Sequence, residues 1–106
     1  MLKPSDVIAV AQAYIFLDEW ELISLEYYLR CYTGQKRETM YGIRIDKRYP
    51  EGDLIERDET AALSTSFNDV RDLVEAFARG TVMPCTLHDM VGEWFCPLTG
   101  KSLIAF

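Results

Sequence analysis

The sequence is poor in the residues from which metal sites and nucleophilic centres are built. Its 106 residues include one histidine, His88, and three cysteines, Cys31, Cys85 and Cys96. An odd number of cysteines at irregular spacing is no disulfide framework, and with no secretory signal ahead of them a reduced, cytoplasmic setting is expected. Walker-type loop, dinucleotide-binding fingerprint and nucleophile elbow are all missing, and Gly100-Lys101-Ser102 lacks the upstream glycine and following helix of a phosphate loop. Long apolar runs are missing too. Residues 7–17 are apolar except for Gln12, but the stretch is too short to span a bilayer and follows Asp6 rather than a basic cluster, so neither a membrane helix nor a signal peptide is expected. There is no internal repeat and no low-complexity segment.

What is present describes a compact core. The 49% hydrophobic and 26% charged composition is that of an ordinary globular protein, and thirteen aromatic residues argue against disorder. One domain over residues 1–106 is expected, burying roughly 65% of its unfolded surface without disulfide or metal. The net charge of -6 opposes whole-molecule attraction to nucleic acid or anionic membrane. That charge is unevenly spread. Residues 30–48 hold six bases against two acids, a net +4, while the rest hold five bases against fifteen acids, a net -10.

The stretch that organises the chain is residues 66–80, SFNDVRDLVEAFARG, in which Val70, Leu73, Val74 and Phe77 fall at i, i+3, i+4 and i+7. This spacing predicts an amphipathic helix over about 67–79, capped by the Ser66 hydroxyl, with Asp69 and Asp72 near its positive end and Gly80 in the left-handed closing position. Before it, LEYYLRCY alternates, placing Leu25, Tyr27, Leu29 and Cys31 on one face and Glu26, Tyr28, Arg30 and Tyr32 on the other. A polar loop at 33–38 and a second strand with Tyr41, Ile43 and Ile45 inward complete a hairpin over about 25–46. Gly42, on the outward face of that strand, marks a bulge or a close backbone approach.

Residues 49–53, YPEGD, form a loop by turn chemistry, and a third, irregular strand is expected over about 59–64, with Ala61 and Leu63 on the face that receives the helix. Ser5 caps an amino-terminal helix over about 6–19, built on Val7, Ala11, Tyr14 and Ile15. The other side of this helix is also apolar, so a second layer or another subunit is expected to cover it. Near the carboxyl end, Pro84 stops an extended piece, Thr86 offers a cap, and Leu87, Met90, Val91 and Trp94 set a short helix over about 87–95. The expected class is α+β: an antiparallel sheet of about three strands, one face covered by the carboxyl-terminal helices, plus the amino-terminal helix.

Residues 25–95 resemble a family of small, uncharacterised bacterial proteins known only as a domain of unknown function. The resemblance lies in the LEYYL strand, the Tyr41-Gly42-Ile43 strand, the acidic stretch, the helix from Ser66, and V-x-P-x-x-L-x-D at Val82, Pro84, Leu87 and Asp89. His88 and Met90 inside the last motif and the apolar amino end depart from it. The resemblance implies no activity.

Three constellations could carry chemistry. Cys85, His88 and Cys96 offer three thiolate-and-imidazole ligands but no second pair, where structural zinc takes four in paired spacings, and the alternative is buried cysteines with a surface histidine. Cys85 with His88 could also form a nucleophile pair at a helix start, without an orienting third residue. Acidic pairs such as Asp69/Asp72 and Asp89/Glu93 lie in no apolar stretch and read as solvated faces. The hairpin is more distinctive. Tyr28, Arg30 and Tyr32 share a face, with Arg44 on the neighbouring strand, as in a stacking surface for single-stranded nucleic acid, though bases there also keep a sheet soluble. The expectation is a non-enzymatic cytoplasmic interaction or regulatory module needing no cofactor, a homodimer or partner of another protein and not membrane-bound, with nucleic-acid binding through the hairpin as the alternative.

Overall fold

A computed structural model describes residues 6–18, 21–34 and 36–94. Four antiparallel strands, β1 (Val7–Asp18), β2 (Glu21–Thr33), β3 (Thr39–Arg48) and β4 (Leu54–Glu59), form a meander in the order β1-β2-β3-β4. Helix α1 (Phe67–Arg79) packs on one face, and a single 3-10 turn at Pro84–Thr86 leads into α2 (Leu87–Trp94). The fold is α+β, with helices on one side of an antiparallel sheet.

The central hairpin follows its alternation. Leu25, Tyr27, Leu29 and Cys31 from β2 and Ile43 and Ile45 from β3 are buried together under α1. The α1 residues that meet them are Val70, Leu73, Val74 and Phe77, the four picked out by helical spacing. The Ser66 hydroxyl accepts from the Asp69 amide at 3.2 Å and caps the first turn. The other end closes differently from expectation. Gly80 sits at φ -89°, and the left-handed residue is Thr81, at φ 48°. The Val82 amide then returns to the Phe77 carbonyl, 3.0 Å away, and the Tyr27 hydroxyl donates to the Val82 carbonyl at 2.9 Å. A core tyrosine thus anchors the chain where it leaves α1. Burial pushes the Tyr27 phenol up from 10.0 to about 12. Because the native value is the raised one, the contribution of this burial is complete below pH 10 and lost as pH rises towards 12. Alkaline unfolding of the native chain is expected to be steeper across that window than that of Tyr27→Phe, measured by denaturant midpoints against pH.

The amino-terminal segment is not a helix over 6–19. It is β1, an edge strand, and an irregularity in its first half accounts for the helical spacing. Its pairing with β2 slips between Ala9 and Ala11, so one extra residue is bulged. The inward set becomes Ile8, Val10, Ala11, Ala13 and Ile15, in which 8, 11 and 15 mimic helical spacing, while Val7, Ala9, Gln12, Tyr14 and Phe16 face the other way. The β-branched and aromatic residues on both faces suit a pleated strand, and the second apolar side that seemed to need another layer is the outward face of the sheet.

The third strand expected over 59–64 lies earlier, at Leu54–Glu59, which makes four strands among the described residues. As the outer strand beside β3 it carries charge on both faces, and so lacks the alternation that marks β2 and β3. Residues 60–64 instead cross the end of β3. The Thr60 amide reaches the Ile43 carbonyl at 2.8 Å, its hydroxyl accepts from the Ile43 amide at 3.0 Å, and Ser64 makes an isolated bridge to Tyr41. Leu63 packs on the core and Ala61 is exposed.

Gly42 is the close approach its position implied. A β-carbon there would stand 2.7 Å from the Ala61 carbonyl oxygen, 2.8 Å from Thr60 Oγ1 and 2.9 Å from the Tyr32 ring. The bare backbone lets Tyr32 lie across β3, where its hydroxyl donates to the Thr60 carbonyl at 2.5 Å. Gly42→Val is therefore expected to cost about 1–3 kcal/mol by overpacking, read from the urea midpoint.

Candidate functional site

The sheet has one covered and one open face. Among the described residues no element lies on the open face, which carries alternate side chains from all four strands: Tyr14 and Phe16 from β1, Glu26, Tyr28, Arg30 and Tyr32 from β2, Arg44, Asp46 and Arg48 from β3, and Arg57 and Glu59 from β4. Tyr28, Arg30, Tyr32 and Arg44 are thus brought together, because Tyr28 opposes Arg44 and Arg30 opposes Gly42 in the β2–β3 register.

Their surroundings were not visible in the hairpin alone. Asp46 is fully buried although it stands on the open face, because arginines roof it. Arg44 forks onto it through Nε at 3.1 Å and an Nη at 2.9 Å, and Arg57 does the same from β4 at 2.8 Å and 3.1 Å. Arg48 adds a contact at 3.3 Å and turns its Nε to Glu26 at 2.8 Å, which also accepts the Tyr28 hydroxyl at 2.9 Å. Burial alone would push the Asp46 carboxyl up, but the hydrogen bonds from Arg57 and Arg44, with their positive charge, outweigh it and hold the group below its ordinary 3.8. Planar guanidinium forks suit such bidentate pairing.

Each arginine of the predicted quartet has further engagements. The Arg44 guanidinium lies 4.9 Å over the Tyr28 ring and that of Arg30 lies 5.0 Å over the Tyr32 ring, while Arg30 also pairs with Glu59. Burial raises both tyrosine hydroxyls above 10.0, with Glu26 adding to the effect at Tyr28. The result is a lattice of alternating charge that cross-links β2, β3 and β4. A phosphate backbone would have to displace carboxylates to reach these guanidinia, and one face of each ring is already taken. Sequence reasoning found the arginines and tyrosines and put Glu26 on their face, but missed Asp46, Arg48, Arg57 and Glu59. The signal available for Asp46 and Arg48 was their shared parity with Arg44 along β3.

Residues 8–96 match a family of unknown function, DUF6514. The chain belongs to this family. No curated protein and no solved structure matches the chain. The family explains the resemblance carried by the LEYYL and Tyr41-Gly42-Ile43 strands and the Pro84 turn, and it extends over β1 as well.

Among the described residues there is no group of three metal-ligating side chains, and Cys96, the third member of the cysteine and histidine constellation, lies outside them. Cys85 is exposed in the 3-10 turn, and Cys31 is buried in the core, where burial and then Asp6 raise its thiol pKa. His88 on α2 stands 3.3 Å from the Asp58 carboxylate of β4. Thr86 donates its hydroxyl to the Met83 carbonyl at 3.1 Å rather than capping α2 as an acceptor. Ser5 and Cys96 lie outside the described residues, as does the segment 97–106. No helix of the described residues is long and apolar enough to cross a membrane.

Proposed function

We propose that the protein is a small, non-enzymatic cytoplasmic interaction module that self-associates and docks through the side of its sheet left open by the helices. The observation that carries this reading is an apolar strip on β1 beside the arginine and tyrosine lattice. Phe16 is 76% exposed, Tyr14 57% and Val7 37%, all on one face of one strand. Aromatic and arginine side chains held in place by their neighbours are the groups from which protein interfaces draw most of their energy. The lattice favours docking over catalysis, since its buried carboxylate is held ionised by fixed arginines and has no role for a labile proton.

Sizing coupled to light scattering, at low and high salt and over a range of concentrations, tests the reading. A concentration-dependent dimer is expected, and a monomer throughout would remove self-association. Nucleic-acid binding through Tyr28, Arg30, Tyr32 and Arg44 is the second reading, favoured by their placement on one face. It predicts oligonucleotide binding at low salt that is lost in Arg30→Ala and Arg44→Ala. The carboxylates already holding both arginines lead us to expect no binding tighter than the nonspecific range, about 10⁻⁴ to 10⁻⁶ M.

A further inference from the structure

The two edges of the sheet are built to opposite rules. β4, with the sequence Leu-Ile-Glu-Arg-Asp-Glu, is short and charged, as a strand that must not pair with another chain should be. β1 runs for 12 residues, and residues 7–17 carry neither charge nor proline. The Cys31 amide donates to the Asp6 carbonyl at 2.9 Å, which fixes the phase of the β1–β2 ladder. Asp6 and Ile8, then Ala11, Ala13 and Ile15 beyond the bulge, bond towards β2. The alternate residues Val7, Ala9, Gln12, Tyr14 and Phe16 turn their amides to the outer side.

We infer that this outer side of β1 pairs antiparallel with β1 of a second copy of the chain, making one continuous eight-stranded sheet about a two-fold axis. The inference rests on the self-association proposed above and places it at the strand edge, which leaves the open face of the sheet free to dock. Matching both the outward amides and the side-chain faces restricts the register. The alignment that pairs outward residues from both sides of the bulge sets Val7 against the partner's Tyr14 and Ala9 against the partner's Gln12, with the axis passing between Val10 and Ala11 and Phe16 lying beyond the paired stretch.

The choice of a second copy comes from what lies beside that point. A shallow groove there is lined by Val10, Ala11 and Gln12 of β1 and by Glu75, Ala78 and Arg79 of α1. Glu75 and Arg79 are one helical turn apart, with Glu75 also 3.9 Å from Arg71. A two-fold axis at Val10 and Ala11 lays the two α1 helices antiparallel, so that Glu75 faces the partner's Arg79 and the reverse. An isologous contact is self-complementary in this way only when a surface carries both signs on opposite sides of its axis.

The test uses the full chain and its dimer dissociation constant, by sedimentation or light scattering. Gln12→Pro removes an outward amide without touching the bonds to β2, and it should weaken the dimer roughly tenfold or more, since symmetry doubles each loss. Glu75→Arg should weaken it about threefold or more through like-charge contact with the partner's Arg79, and the double exchange Glu75→Arg with Arg79→Glu should restore it. The exchange keeps the inference testable if the proline variant fails to fold. A folded Gln12→Pro chain that dimerises as before, or a double exchange no better than Glu75→Arg, overturns the edge pairing while leaving self-association standing. A native chain that stays monomeric overturns both.

Discussion

Replacing Asp46 with alanine is expected to remove about 2–4 kcal/mol of folding stability at neutral pH. The range starts from the 3–5 kcal/mol typical of breaking a buried ion pair and is lowered because the arginine partners keep part of their surface in water. Asp46 itself is fully buried and accepts from three arginines, so its loss leaves Arg44 and Arg57 facing one another across β3 and β4 without the charge that holds them. The pH dependence has a definite sign. The native carboxyl is held below its unfolded value of 3.8, so its contribution is complete above that value and is lost as pH falls through the depressed native one. The gap between wild type and Asp46→Ala in urea should therefore be flat from about pH 5 to 8 and close in more acid solution. A gap that stayed constant into strong acid would mean that the cost is one of shape and not of charge.

Phe77→Ala should cost about 3–5 kcal/mol, the range for removing a large aromatic side chain from a core that cannot collapse around the space. Phe77 is among the largest fully enclosed side chains, and its carbonyl receives the Val82 amide in the turn that leaves α1. The same substitution at solvent-facing Asp72 should change stability by less than about 0.5 kcal/mol. Thermal and urea unfolding of the two variants measures the contrast. Equal losses would mean that α1 is not seated on the sheet by the side that carries Phe77.

Helix α1 and the β2–β3 hairpin could be read from the sequence because each has a single buried face and an unbroken period. Val70, Leu73, Val74 and Phe77 repeat at the helical spacing, and Leu25, Tyr27, Leu29 and Cys31 repeat at two. β1 was illegible for a local reason. One bulged residue moves the inward set across parity, and apolar residues on both sides remove the contrast on which any period depends. β4 failed in the opposite way, with charges on both faces because it guards an edge. The four-residue candidate site was half visible. Parity put Tyr28, Arg30, Tyr32 and Arg44 on one face, but the pairing of Arg30 with Glu59 of β4 and the sharing of Asp46 between Arg44 and Arg57 depend on cross-strand register, which no single segment encodes. The pairing of Arg57 with Asp46 is a property of the assembled sheet.

β1 is the proposed working edge of the molecule, and amide hydrogen exchange reads that edge residue by residue. Measured by NMR at low and high protein concentration, the amides of Val7, Ala9, Gln12 and Tyr14 should exchange fast when dilute and become protected when concentrated. Those of Ile8, Ala13 and Ile15, bonded to β2, should be protected in both. If the outward amides exchange fast at every concentration, β1 has no partner strand in a second copy. If they are protected at a concentration where sizing shows a monomer, a segment of the same chain covers the edge, and the pairing proposed here is wrong.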